Sequence, residues 1–368
     1  MKLASLLLLA TLAISTSNAQ PANKPIRVAI VGLVHGHVKG LLAALPKNTS
    51  AQLVAIVEPN TTLAQQYASQ YHLPKSLFDA DLEHMLTTQH PDAVLVYTTI
   101  EDHRRVIEAA AQHNISSMVE KPLSTTMDDA LAIHLAAREH RVQVLVNYET
   151  TWYSSNADAI SEAQSGRLGE VRKVVVHDGH EGPKEIGVGP EWLPWLTDPI
   201  QNGAGALFDF GCYGADLMTV LMHGQPPISV TAVTQTDKPA IYPHVDDDAT
   251  VILRYPNAQA VLMPSWDWPF ARKDMEIYGA TGYVITVASD NLRTHYHGQE
   301  AESQQTAHPL PEDQSNSIAY LAAVLHGKIK PQGDLTSLDT NIIVMQILDA
   351  ARTSARTART IELQPLPQ

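Results

Sequence analysis

The chain has 368 residues, enough for two domains, and 44% of them are hydrophobic, so a sizeable core can be buried. Its 39 acidic against 25 basic side chains give a formal net charge of −14, which argues against a surface built for nucleic acid or an anionic membrane. A small, neutral or weakly charged substrate suits that balance.

Met1-Lys2 precedes an apolar run from Leu3 to Ile14 and a polar stretch ending Ser17-Asn18-Ala19. The run is shorter than the roughly 20 apolar residues of a membrane span. The layout is that of a secretory signal peptide over residues 1–19, so an exported (periplasmic or secreted) mature chain free of the membrane is expected. Cys212 is the only cysteine, which leaves no internal disulfide; its apolar, Gly-rich surroundings suit a buried structural thiol.

Residues 24–147 alternate strand and helix patterns. Ile26 to Val31 is a continuous apolar strand, followed by Gly32-Leu33-Val34-His35-Gly36-His37 and a helix ending near Pro46. Further buried strands are expected over Leu53 to Val57, Ala93 to Tyr97, Ser116 to Val119 and Val142 to Val146. Helices are expected over Thr61 to Tyr71, Asp102 to His113 and Thr126 to His140. Alternation of this kind implies right-handed crossovers and an α/β doubly wound parallel sheet.

The pattern changes over residues 148–368. Strands are expected over Val171 to His177, Ile228 to Thr236, Thr250 to Tyr255, Gln259 to Pro264, Asp274 to Tyr278 and Tyr283 to Val287, joined by short turns. Helical patterns run over Tyr153 to Ala163, Leu207 to Met222, Ser315 to His326 and Ser337 to Thr353. The second domain is therefore α+β with one open, mainly antiparallel sheet.

The first strand–turn–helix is the main chemical signal, because such a turn aims backbone N–H groups at an anion. Against the dinucleotide fingerprint G-x-G-x-x-G it reads Gly32-x-Val34-x-x-His37, with Gly36 one position early. Val34 puts a branched side chain where a pyrophosphate normally approaches. Glu58 ends the second strand, where an acid accepts hydrogen bonds from a ribose diol. Pro59 and Asn60 follow it, with no Arg to hold a 2′-phosphate, so NAD is expected over NADP.

The segments IVGLVHGHV, VYTTIEDH, VEKPLSTT and GALFDFGCYGAD together resemble the glucose–fructose oxidoreductase, inositol dehydrogenase and rhizopine-catabolism (Gfo/Idh/MocA) family over nearly all of the mature chain. The resemblance implies a Rossmann domain plus an open-faced sheet domain, and an NAD(P)-dependent oxidoreductase. It makes Glu120-Lys121-Pro122 the E-K-P motif, whose lysine lies beside the nicotinamide and the substrate hydroxyl. A partly desolvated lysine next to a cationic ring is expected to have a lowered pKa and to move a proton.

The resemblance also aligns Asp209 and Asp216 with the family's D-x-G-x-H-x-x-D motif, but Tyr213 stands where the family has its histidine base. Lys121, Asp209 and Tyr213 are thus the catalytic candidates, with Tyr213 either a base assisted by Lys121 or a residue that orients the substrate. Gly32, Val34, His35, Gly36, His37, Glu58, Thr98, Thr99, His103, Glu120, Lys121 and Asn147 match cofactor contacts.

His180 and Glu181 end a sheet-domain strand facing the cleft, and Trp152, Trp192 and Trp195 offer faces for a sugar ring. For any single Trp, core packing is the better-supported reading of the sequence. The clusters His177-Asp178-Gly179-His180-Glu181 and His244-x-Asp246-Asp247-Asp248 lack metal-ligand spacing, so no metal is expected.

Taken together, hydride transfer to or from a sugar, glycoside or cyclic polyol is expected. An exported chain cannot readily recycle free NAD, which favours a retained cofactor and transient oxidation followed by elimination or rearrangement, as in NAD-dependent glycosidases. The alternative of another class is a carbohydrate-binding protein on the same fold. A homo-oligomer through the C-terminal sheet is also expected.

Overall fold

A computed structural model describes residues 24–364. The proposed signal peptide therefore lies outside the described residues. Among these, no helix is long and apolar enough to cross a membrane.

Six strands form the first sheet: β1 (Ile26–Val31), β2 (Ala51–Val57), β3 (Phe78–Asp79), β4 (Ala93–Val96), β5 (Ser116–Glu120) and β6 (Val144–Asn147). All pair in parallel, in the order β3-β2-β1-β4-β5-β6. Strand order reverses between β2-β1 and β4, and ligands of such sheets bind at the carboxyl ends beside that switch point. β4 and β5 are buried along their whole length and β1 at all but Arg27, because helices cover both faces. The helix Leu82–Gln89, capped by Asp81, and the edge strand β3 went unpredicted; β3 is two residues long, too short for a periodic signal.

Nine strands form the second sheet: β7 (Val171–Gly179), β8 (Ser229–Gln235), β9 (Asp248–Arg254), β10 (Gln259–Ser265), β11 (Arg272–Gly279), β12 (Gly282–Ala288), β13 (Asn291–Tyr296), β14 (Ser303–Thr306) and β15 (Ile361–Glu362). Their order is β14-β13-β12-β11-β7-β10-β9-β8-β15. Every neighbour is antiparallel except β7 and β10, which run parallel. β13, β14 and β15 add to the strands read from sequence; the polar β14 carries no alternating pattern to read.

One face of this sheet is covered by the helices Ser154–Gln164, Gly211–Leu221 and Leu338–Thr357, and on it Val174 and Val176 of β7, Leu262 of β10 and Ile277 of β11 are buried. The other face is open and leaves Val233, Ile252 and Val287 exposed. The expected Leu207–Met222 helix is broken at Phe210 into Ala206–Asp209 and Gly211–Leu221. That break lets Asp209 end the first piece at the domain junction.

Candidate active site

β1 stops at Gly32 because the chain must turn in the left-handed region there, at φ +84. A Cβ on Gly32 would meet Thr98 Cγ2 at 2.7 Å and the Tyr97 carbonyl oxygen at 2.8 Å. Glu58, buried at the end of β2, accepts from the Leu33 N–H at 2.9 Å and the Asn60 N–H at 2.9 Å, one on each carboxylate oxygen. Burial raises its pKa against those two hydrogen bonds. Each oxygen keeps a lone pair for a ligand hydroxyl, so the tight turn and the adjacent carboxylate fit a dinucleotide.

The turn itself is more occupied than its letters suggest. His35 N–H donates to the Tyr97 carbonyl at 3.1 Å, and Trp195 Nε1 donates to the Val34 carbonyl at 3.3 Å. Trp192 lies against Gly36, where a Cβ would come within 2.0 Å of its Cε3. Its ring centroid is 4.8 Å from that of His35 and 5.4 Å from that of His37. This corrects the expectation that Trp192 offers a face to a sugar: it packs on the dinucleotide turn instead. Glu191 beside it pairs with Lys39 at 2.8 Å and accepts from Tyr67 at 3.4 Å. The segment between β7 and the helix Gly211–Leu221 thus crosses the first domain's cofactor turn. Sequence reading missed Glu191, which lies in an aperiodic loop.

Around the end of β5 the side chains form a chain of hydrogen bonds. Glu120 is buried; its Oε1 accepts from Asn147 Nδ2 at 2.8 Å and its Oε2 lies 2.9 Å from His37 Nδ1. Asn147 in turn accepts from Trp152 Nε1 at 3.0 Å. Gly36, His37, Tyr97, Glu120, Asn147 and Trp152 line a cavity of about 640 Å³. Thr98 is buried, its methyl against Gly32 and its hydroxyl donating to the Thr99 carbonyl at 3.0 Å; Thr99 is half-buried. His103 departs from its expected place at the cofactor. It is 0% exposed, with Nδ1 3.2 Å from the Leu123 carbonyl, and supports the loop after Lys121.

Burial pushes the His103 imidazole down to about 4. The unfolded chain, with an ordinary histidine near ~6.5, then binds the extra proton first as pH falls. Stability is full above that ordinary value and declines until pH reaches about 4. The difference is on the order of 3 kcal/mol, and His103→Leu should flatten the fall in Tm between neutral and acid pH.

Lys121 and Asp209 meet across the domain junction. Lys121 Nζ donates to the Asp209 carboxylate and, at 2.8 Å, to the Asp209 carbonyl; both residues are buried. The other Asp209 oxygen accepts from Trp266 Nε1 at 2.9 Å. Burial opposes both charges, but the pairing wins: Lys121 is raised above the ordinary lysine value and Asp209 is lowered. This corrects the expected lowering of Lys121, because the partner carboxylate outweighs desolvation.

Tyr213 lies beside the pair, its ring centroid 5.2 Å from Lys121 Nζ. Burial first, then nearby Glu149, holds its phenol well above the ordinary value. A phenol that stays protonated donates a hydrogen bond or a proton, which favours the substrate-orienting role over the base role. His180 packs edge-on to Phe210 at 4.9 Å and accepts from the Gly182 N–H on Nδ1 at 2.9 Å, leaving its other nitrogen as the donor when neutral.

Three residues that sequence reading did not single out complete the wall. Asp178 and Lys273 are direct partners on β7 and β11, on the helix-covered face. Lys273 Nζ pairs with Glu149 and sits 5.0 Å from the Tyr213 ring centroid. Asp178 is 3% exposed, and burial raises its pKa well above the usual carboxylate range. Asp178 was legible as a charge continuing the buried alternation of Val174 and Val176; Lys273 and Glu149 needed the sheet register. Glu181 contributes its backbone carbonyl to Lys238. In the second histidine cluster, Asp246 accepts from Gly205 and Leu207 and Asp247 from Asp237 and Lys238, all backbone N–H groups, so these acids brace loops. Cys212 is buried, and its Sγ lies 3.3 Å from the Asp209 carbonyl.

A doubly wound domain ending in a dinucleotide turn, with a buried Lys–Asp pair where it meets an open-sheet domain, defines an oxidoreductase with a nicotinamide-type site. Residues 26–148 match the oxidoreductase family with an NAD-binding Rossmann fold, and residues 157–285 match the GFO/IDH/MocA C-terminal domain. The chain belongs to the Gfo/Idh/MocA oxidoreductase family.

Among its curated relatives, 1,5-anhydro-D-fructose reductase of Ensifer adhaerens is 25% identical over 299 residues, 77% of this chain and 83% of the relative. Human trans-1,2-dihydrobenzene-1,2-diol dehydrogenase is 22% identical over 229 residues, 62% of this chain and 64% of the relative. Among solved structures, aldose-aldose oxidoreductase from Caulobacter crescentus superposes with a TM-score of 0.78 at 22% identity, covering 92% of this chain and 100% of the other. An inositol dehydrogenase homolog from Azotobacter vinelandii, solved with NAD+, gives 0.79 at 19% identity, covering 92% and 98%.

Proposed function

We propose that this chain uses NAD, retained between turnovers, to transfer a hydride to and from a ring carbinol of a sugar, glycoside or cyclic polyol. The observation that carries the reading is the buried Lys121–Asp209 pair facing Tyr213 beside a cavity lined by Glu120 and Asn147. The relatives' action on an anhydro sugar and an aldose supports a carbohydrate substrate.

Gly32 to His37, Glu58 and the carboxyl ends of β4, β5 and β6 would hold the dinucleotide, which when bound supplies the hydride acceptor. Lys121 as an ammonium and Tyr213 as a phenol present protons to the reacting oxygen, which serves reduction directly. For oxidation, the Lys121 ammonium, held charged by Asp209, stabilises the alkoxide of the carbinol as its proton leaves to water in the cavity. His180 holds a second hydroxyl from the sheet side. The Trp192 and Glu191 contacts across the turn support retention, since the dinucleotide leaves only when they part. A retained cofactor also suits the exported location we infer from residues 1–19. Turnover without net NADH, with nicotinamide label carried into a substrate C–H, is the expected signature. NAD released on denaturing the purified protein tests the reading; its absence, with no NAD binding by calorimetry, defeats it in favour of a carbohydrate-binding protein.

Cofactor choice follows from Glu58 and Glu191 together. Glu191→Gln removes one acid and frees Lys39 for a 2′-phosphate, so NADP affinity should rise about tenfold, the worth of ~1.4 kcal/mol. Unchanged NADP binding by calorimetry would remove Glu191 from this role. We also infer that a second copy covers the open sheet face bearing Val233, Ile252 and Val287, which sedimentation of Val233→Lys tests as a shift to monomer.

A further inference from the structure

We propose that His35, His37 and Glu120 form a binding site for one divalent transition-metal ion of the zinc class, beside the dinucleotide turn. It goes beyond the oxidoreductase reading and stands on its own geometry. One ligand atom from each side chain lies within 4.8 Å of the other two. Two imidazoles and a carboxylate with further positions open are an established zinc donor set.

His35 is prepared to ligate. Its Nδ1 accepts from the His37 N–H at 3.3 Å, so that nitrogen carries a lone pair. The contact is long and costs little to exchange for a metal bond. Trp192, Trp195 and Tyr97 fix the plane of the ring. Glu120 is held in the same way: Asn147 takes Oε1 and is itself held by Trp152, while Oε2 faces His37 Nδ1 at 2.9 Å, a contact that an ion seated between the two would replace. Outer partners of this kind orient metal ligands. Glu120 is 1% exposed, while the neighbouring cation Lys121 is engaged by Asp209. The half-exposed His37 ring is the partner on Oε2, and a metal ion held between the two supplies a full counter-charge to the buried carboxylate.

His37 is half-exposed and lines the 640 Å³ cavity, which gives the ion a path and leaves its open positions to water or an anionic ligand oxygen. The other candidate cluster, His177, Asp274 and Glu276 on the open sheet face, lacks this character. There Arg272 already binds both Asp274 oxygens, at 2.8 and 2.7 Å.

The test is titration of the EDTA-treated chain with Co²⁺, read by visible d–d absorption and elemental analysis, with NAD calorimetry in EDTA run alongside. One equivalent of cobalt is expected. His35→Ala and His37→Gln should abolish the absorption, and Asn147→Ala should weaken binding by about 10–100-fold. Should His35→Ala fail to fold, His37→Gln, at a half-exposed position, carries the test. No stoichiometric cobalt, or binding unchanged in the His37 and Asn147 variants, overturns the site. NAD binding without cobalt leaves the oxidoreductase reading intact and removes the metal; cobalt without NAD does the reverse.

Discussion

Lys121→Met is expected to lower turnover by about 10²–10⁴, the usual loss on removing one positioned acid–base group. The same change should destabilise the fold. Asp209 would stay buried with only Trp266 donating to its carboxylate, and stranding one partner of a buried ion pair costs about 3–5 kcal/mol. The two effects separate in Lys121→Met/Asp209→Asn: stability returns, because no charge is left unpaired, while turnover does not. NAD affinity should stay within a few-fold in both, since Gly32 and Glu58 are untouched. Tyr213→Phe should cost less than Lys121→Met, as the loss of a donor beside a retained lysine. Thermal unfolding, calorimetry and single-turnover kinetics read these quantities; full activity in the double variant would sink the assignment of Lys121.

Gly32→Ala is expected to destabilise the fold and to abolish dinucleotide binding together. The backbone is at φ +84, and the new Cβ would meet the Tyr97 carbonyl at 2.8 Å and the Thr98 nitrogen at 2.9 Å. Neither is the end of a flexible side chain, so β1 and β4 must separate at the switch point. Strained backbone costs about 1–3 kcal/mol and overpacking about 1–3 kcal/mol more. A urea midpoint shift of that size should come with loss of NAD binding, because the same turn presents its N–H groups to the ligand. A shift under ~1 kcal/mol would mean that the turn is looser than its contacts indicate.

The first domain was legible because its signals are local. A buried strand, a glycine that must turn, and an acid ending the next strand lie within about thirty residues, and E-K-P follows its strand directly. The second domain yielded its strands but not its full pairing, since β7 and β10 run parallel only through a long excursion that no local pattern records. Site residues divide in the same way. Lys121 and Asp209 stand in motifs, whereas Lys273 reaches Tyr213 through the β7–β11 register. Trp192 was misplaced because residues 181–205 carry no periodicity to say which domain they cross. The pKa of Lys121 was misjudged because a partner 88 residues away, and not the cofactor alone, sets it.

The path of Glu191, Trp192 and Trp195 over the turn bears on how this architecture can be recombined. The cofactor domain is not a detachable module here, since part of its own lining is encoded some fifty residues beyond its last strand. A chimera that imports a relative's first domain should keep its fold yet bind dinucleotide poorly, unless residues 189–195 are exchanged with it. Divergence in cofactor preference would then be constrained to proceed by paired changes in the two halves of the chain.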